Sequence, residues 1–222
     1  MQPIIRFDQV SVTVQEKTLL SRVSFSLYSG QKAVLAGKSG AGKSSVLRVL
    51  LGLHTITAGT VYFQEQPLSA KSIQAIRACT AYIGQEPVLG AENVREALLL
   101  PFQFKAHRDR RPPESQIIEV LRRLKLSPEL LARDSRRISG GEKQRIALAR
   151  GLLLGKTVYL LDEVTSALDA ESKQAVFEVF AEPQFTVLAV AHDREWLRRS
   201  DAVFSIEAGH LTRLGEHGNT GY

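Results

Sequence analysis

The chain has 222 residues, 44% apolar and 23% charged, the make-up of a globular protein with a buried core, which excludes disordered and fibrous classes. A single cysteine, Cys79, rules out an intrachain disulfide and suits a reducing compartment. No apolar run reaches the roughly 18–20 residues of a membrane span, and the opening Met1-Gln2-Pro3-Ile4-Ile5-Arg6 carries no secretory pattern. The net charge of +6 is uneven: residues 105–150 hold 13 Lys/Arg against 6 Asp/Glu, and the remainder 16 against 17. Such a basic middle segment faces nucleic-acid phosphates, anionic lipid headgroups or only water.

In chain order, Val10, Val12 and Val14 alternate with polar residues, as do Val23, Phe25 and Leu27, which predicts half-buried antiparallel strands. A turn at Ser29-Gly30 leads into the apolar run 33–36, read as a buried central strand. A glycine-rich turn, a helix over 43–51 and strands at 60–63 and 81–83 follow. From 92 to 133 the pattern becomes helical: Ile117, Ile118, Leu121 and Leu124 share one face, and Pro112-Pro113 stands where a helix starts. Then come a helix at 142–153, a strand at 157–161, a helix at 170–180, a strand at 186–191, a helix at 194–199 and a strand at 202–206. This alternation predicts a mostly parallel sheet covered on both faces. The expected organisation is one domain over 1–222, with a core from about 1–84 and 139–214, a helical subdomain over about 85–138 and a frayed tail at 215–222.

Gly37-Lys38-Ser39-Gly40-Ala41-Gly42-Lys43-Ser44 fits G-x-x-x-x-G-K-[ST]. Its glycines let backbone N–H groups turn inward around phosphate oxygens, and the following helix offers them its positive end. Lys43 is placed to bridge β- and γ-phosphates and the Ser44 hydroxyl to ligate Mg²⁺, with Ser45 completing the phosphate-binding set. Val158-Tyr159-Leu160-Leu161-Asp162-Glu163 is an apolar strand ending in two carboxylates. Asp162 is expected in the Mg²⁺ shell, and Glu163 is expected to polarise a water in line with the γ-phosphate.

Ile138-Ser139-Gly140-Gly141-Glu142-Lys143-Gln144 resembles the signature sequence of the ATP-binding cassette (ABC) family. Gln85 stands where that family's Q-loop glutamine does, Ser166-Ala167-Leu168-Asp169 is similar to its D-loop, and His192 matches its switch histidine. The resemblance covers residues 37 to 192. It implies an α/β fold, a P-loop NTPase of ABC type, with a mostly parallel core sheet, an antiparallel β-subdomain and an inserted α-helical subdomain. It also implies ATP hydrolysis with Mg²⁺, and head-to-tail pairing with a second copy whose Ser139, Gly140 and Gly141 meet the ATP. Gln85 would touch Mg²⁺ and the attacking water, and His192 the γ-phosphate. Gly140 and Gly141, just before the helix at 142–153, would leave N–H donors free for that phosphate.

Three features depart from the family pattern. Residues 8 to 24 contain no aromatic to stack on adenine, so weak base discrimination is expected; Glu142 stands where Gln is commonest; and Val164 replaces the usual Pro. Gln85 and Ser139 lie 54 positions apart, room for a compact helical subdomain but not for the coiled coils of chromosome-organising relatives. The 60 residues after Asp162 leave no expectation of an added regulatory domain. The resemblance therefore implies the ATPase subunit of a transporter whose membrane-spanning permease is a separate chain, peripheral on the cytoplasmic membrane face, with no nucleic acid as partner. Gly84-Gln85-Glu86-Pro87 and Leu100-Pro101-Phe102-Gln103 resemble a compact bacterial subgroup of iron exporters. The alternatives are a soluble ABC ATPase acting on nucleic acid and a nucleotide-gated binding module. His210 and His217 have no carboxylate or thiol company and read as solvated.

Overall fold

A computed structural model describes residues 2–215, so His217 and nearly all of the expected tail lie outside the described residues. The chain begins with strands β1 (Ile5–Val14), β2 (Lys17–Leu27) and β3 (Lys32–Ala36), then helix α1 (Lys43–Leu50). Strands β4 (Ala58–Phe63) and β5 (Gln66–Pro67), helix α2 (Ala70–Cys79) and strand β6 (Thr80–Ile83) follow. Helices α3 (Val94–Leu99), α4 (Glu114–Arg123) and α5 (Gly140–Leu153) occupy the middle. Strand β7 (Val158–Asp162), helix α6 (Ala170–Phe180), strand β8 (Thr186–Val190), helix α7 (Arg194–Arg199) and strands β9 (Ala202–Glu207) and β10 (His210–Gly215) complete the described chain.

Two sheets result. The first, in the order β2-β1-β4-β5, is antiparallel, with Phe7 opposite Phe25 and Val10 opposite Val23. The second has the order β10-β9-β3-β8-β7-β6, parallel except for β10 at its edge. Every residue of β7 and β8 is buried, because helices cover one face of this sheet and helix α1 together with the antiparallel sheet covers the other. Two apolar cores fill these layers. Leu35, Leu160 and Val190 join Phe7, Leu20 and Val61 in one; Tyr159, Leu161 and Ala189 join Leu98, Leu121 and Leu130 of the helical segment in the other. The helical segment therefore shares its core with the sheet instead of building its own.

Four sequence expectations need correction. Val14 is 39% exposed, since it ends the β1–β2 hairpin beyond the packed sheet, while Val10 and Val12 are fully buried. Ile118 is 38% exposed, and Val120 takes its place on the buried face with Ile117, Leu121 and Leu124. The stretch 92–133 is not continuous helix: α3 and α4 are separated by short 3₁₀ turns at Leu100–Gln103 and Arg108–Arg110. Helix α5 begins at Gly140, so Gly140 and Gly141 form its first turn and do not precede it. Helix α2 and strands β5 and β10 had no expectation from the sequence; α2 buries only Ser72 and Ile76, too little apolar surface to leave a periodic signal.

Candidate active site

The phosphate-binding motif links β3 to α1 as a tight loop. Gly37 has φ of +135°, and a Cβ there would lie 2.2 Å from the carbonyl oxygen of Ile206. Gly42 has φ of +108°, and its Cβ would lie 2.3 Å from that of Leu19. Only glycine fits either position. Gly42 is also the N-cap of α1, which has no side-chain cap and no acid in its first turn, so the helix presents bare amides and a positive end. Lys43 is buried to 4% exposure, and its ammonium donates to the carbonyls of Gly37 (2.8 Å) and Lys38 (2.9 Å). Burial lowers its pKa, against the charges of Glu163 and Asp162, which raise it.

The loop opens on a cleft of about 610 Å³. Ser39, Gly40, Gly42, Lys43, Ser44 and Ser45 line one end; Gln85 and Glu163 reach it from the sheet. Gly37, Lys38 and Ala41 shape the loop from behind, with the Ala41 N–H on the Lys38 carbonyl at 3.2 Å. Val14, Gln15, Lys17 and Leu19 also line the cleft, with no aromatic among them.

Asp162 and Glu163 stand at the C-terminal end of β7. The Ser44 hydroxyl donates to Asp162 Oδ1 at 2.9 Å, and the Tyr82 hydroxyl to Oδ2 at 3.4 Å. Burial raises the Asp162 pKa, and these two hydrogen bonds partly offset it. Glu163 has φ of +52° and is fixed by its N–H on the Val190 carbonyl at 2.9 Å. Gln85 Nε2 donates to Glu163 Oε2 at 3.2 Å, and His192 Nε2 lies 3.5 Å from Glu163 Oε1. Three segments that are far apart in sequence thus converge on one carboxylate.

The donor set suits Mg²⁺ shared with nucleotide. Ser44 and Asp162 bring a hydroxyl and a carboxylate together, and Gln85 adds an amide nearby; Mg²⁺ characteristically takes one or two protein oxygens plus substrate phosphates. Among the described residues no cluster of three His, Cys, Asp or Glu forms an all-protein metal cage.

Residues without a sequence signal support this constellation. A second cavity of about 240 Å³ behind Glu163 is bounded by Ser166, Lys173, His192 and Asp193. Lys173 pairs with Asp193 at 2.8 Å, and Asp193 caps α7 by accepting the Glu195 N–H at 2.9 Å. The buried Trp196 donates its indole N–H to Thr165 Oγ1 at 3.2 Å. Both contacts tie the segment carrying His192 to the segment that follows Glu163. A buried indole N–H needs an acceptor, but the sequence does not say which one.

Ser139, Gly140 and Gly141 do not line the cleft. Ser139 caps α5, and a Cβ on Gly141 would lie 3.2 Å from the Ala167 carbonyl oxygen, so the signature segment packs beside Ala167-Leu168. A Cβ on Gly140 would meet nothing within 4 Å, which leaves this helix end open on one side.

The ABC transporter family matches residues 20–166. The "Probable iron export ATP-binding protein FetA" of Escherichia coli (strain K12) is 32% identical over 209 residues, 92% of this chain and 92% of that protein. Other curated relatives are longer: this chain spans 16% to 35% of their length at 29% to 33% identity. Among solved structures, a bacterial Atm1-family ABC exporter with ATP bound superposes with a TM-score of 0.82 at 23% identity, over 95% of this chain and 38% of that one. A dimeric ATP-binding cassette in a post-hydrolysis state with ADP and Pi gives 0.81 at 24% identity, over 97% and 100%. The phosphate loop, the carboxylates at the end of β7 and the order of motifs along the matched segment agree with these findings: the chain belongs to the ABC transporter family and is an ABC ATPase.

Proposed function

We propose that this ATPase powers a separate membrane-spanning permease, docked at the cytoplasmic membrane face and acting as a head-to-tail pair of copies, and that the cargo is exported iron or a similar metal. The observation that carries the catalytic part is the convergence of Gln85 and His192 on Glu163, beside the Ser44–Asp162 pair. Mg²⁺ held with the nucleotide by Ser44, Asp162 and Gln85 would neutralise charge on the β- and γ-phosphates. Lys43 and the bare amides of α1 bind the phosphates, and Glu163 polarises the attacking water. His192 contacts the γ-phosphate, and Gln85 holds the Glu163 carboxylate in place. Ser139, Gly140 and Gly141 do not line their own cleft, which supports their acting on the ATP of a second copy. Among the described residues no helix is long and apolar enough to cross a membrane. The likeness to the Escherichia coli relative along nearly its full length supports metal export.

Glu163→Gln tests this reading. Turnover should fall by at least about 100-fold with MgATP binding retained, and with MgATP the variant should co-purify a multi-span membrane protein in near-equal amount from native membranes. Unchanged turnover would overturn the role of Glu163, and capture of nucleic acid without a membrane protein would overturn the transport reading. The part of the cleft walled by Val14, Gln15, Lys17 and Leu19 offers dispersion contact but no ring to stack on. GTP and ATP should therefore turn over within about threefold of each other, and Val14→Tyr should tighten ATP binding by about fivefold to tenfold; strict ATP preference in the parent chain would refute this.

A further inference from the structure

The basic excess of the middle segment is not spread evenly over its surface. Of its 13 Lys/Arg, Arg122, Arg123, Lys125 and Arg136 pair with Glu119, Glu182, Glu171 and Asp134. Arg145 and Arg150 donate to backbone carbonyls at Leu124, Lys125, Val88 and Leu89. Arg133, Arg137 and Lys143 make no side-chain hydrogen bond or ion pair either, but they stand singly, Arg133 and Arg137 in the fields of Glu142 and Asp134. Lys105, Arg108, Arg110 and Arg111 instead fall within seven positions, and among the described residues their side chains make no hydrogen bond or ion pair. Asp109 is the only acid among them.

These four cations lie on one projecting turn. Phe102 and Pro112 are buried at its two ends, whereas residues 103–106 and 108–111 are exposed. Phe104, next to Lys105, is 63% exposed, a large apolar surface for a ring that has buried neighbours available two residues away. Behind the turn, the buried Lys156 places its ammonium on the Ala78 carbonyl. Burial holds the His107 pKa below its ordinary value, and the nearby charges of Lys156 and Arg110 lower it further.

Solvated cations alone need no explanation. Unpaired cations beside an exposed ring make a different surface, since lipid interfaces attract basic side chains by charge and accept aromatic rings at headgroup depth. We propose that the 103–111 turn docks on an anionic lipid surface, with Lys105, Arg108, Arg110 and Arg111 over headgroup phosphates and Phe104 entering the interface. Single-stranded nucleic acid fits less well, because one ring offers no series of stacking platforms. The inference does not require the transport reading: protein-free vesicles contain no permease, so the two fail separately.

The test is co-sedimentation of the full chain with sucrose-loaded vesicles of phosphatidylcholine, with and without phosphatidylglycerol. Binding should require phosphatidylglycerol and weaken steeply between about 0.1 M and 1 M salt. Arg108→Glu/Arg110→Glu/Arg111→Glu should lower the partition at least tenfold or so while MgATP turnover stays at the parent level. Phe104→Ser should lower it about threefold to tenfold and leave a weaker but still salt-sensitive remainder. Equal sedimentation of the triple variant and the parent overturns the proposal, as does equal binding to phosphatidylcholine alone. Binding to poly-uridine RNA that depends on the same arginines, without vesicle binding, overturns it in favour of nucleic acid.

Discussion

Helices α1 and α5 both start at a glycine-rich turn, and both point a positive dipole end outward, yet their first turns are finished in opposite ways. At α1 the N-cap is Gly42, no side chain closes the amides, no acid stands in the first turn, and a buried lysine lies beneath. At α5 the N-cap is Ser139, whose hydroxyl accepts the Glu142 N–H at 3.3 Å while Glu142 Oε2 accepts the Ser139 N–H at 2.9 Å. The Ser139 N–H, and after it the Ser139 side chain, hold the Glu142 carboxyl below its ordinary pKa, so it is ionised at neutral pH and offsets part of the helix dipole. The α1 end is left for a ligand to complete, whereas the α5 end has satisfied two of its donors internally and keeps Gly140 and Gly141 for anything further. In the proposed pairing of copies, a phosphate site completed at α1 and a second contact from the partner's α5 would suit a nucleotide released from one partner after hydrolysis.

Breaking the α1 end should have the largest effect. Lys43→Ala should weaken MgATP binding by at least about 100-fold, measured by calorimetry, because it removes the buried cation that organises the loop. The two glycines should respond differently to the same change. Gly42→Ala forces a Cβ into the Leu19 carbonyl at a left-handed φ and should destabilise the fold by about 1–3 kcal/mol as well as impair binding. Gly140→Ala meets open space in a helical first turn, so thermal stability should hold or rise by up to about 1 kcal/mol while turnover falls. Equal melting losses for both variants would erase the distinction between the two helix ends.

Smaller effects test the capping box. Ser139→Ala should cost about 1 kcal/mol at pH 7 in a urea titration. The sign of its pH dependence follows from Glu142: a carboxyl with a lowered folded-state pKa stabilises the fold above its unfolded value, and that stability is lost as pH falls through the folded value. Ser139→Ala keeps the backbone N–H bond to Glu142 and loses only the side-chain part of this stabilisation, so its gap from the parent should narrow slightly as pH is lowered from neutral toward about 3. Glu142→Gln keeps an acceptor for the Ser139 N–H but removes the charge. Its stability should stay within about 0.5 kcal/mol, and MgATP-driven pairing of copies should strengthen about twofold to fivefold in sedimentation. Weaker pairing would show that the carboxylate is needed for more than the cap.

The parts of the candidate site that are local in sequence are legible from the residue types alone. Gly37 and Gly42 occur where only glycine tolerates the turn, Lys43 and Ser44 follow at fixed offsets on the first helical turn, and Asp162-Glu163 end a run apolar enough to be buried on both faces. The start of α5 was misjudged by two residues because Gly140 and Gly141 have poor helix propensity, and only the Ser139–Glu142 box establishes that the helix includes them. Val14 and Ile118 followed apolar periodicity that packing did not use: one lies past the end of a sheet, the other on the margin of a helix face. The contacts Tyr82–Asp162, Lys173–Asp193 and Trp196–Thr165 left no pattern in the chain.

Short runs of residue types set the phosphate-loop turn and the buried strand that ends in two carboxylates, since their constraints are steric and nearly independent of context. Tertiary structure alone decided which distant groups share a carboxylate, which basic side chains stay unpaired and which apolar positions remain exposed. Those outcomes depend on the parallel register of β3, β8, β7 and β6 and on how the helical segment joins the sheet's core. Segments separated by 80 or more residues meet only through that register, and no local pattern encodes it.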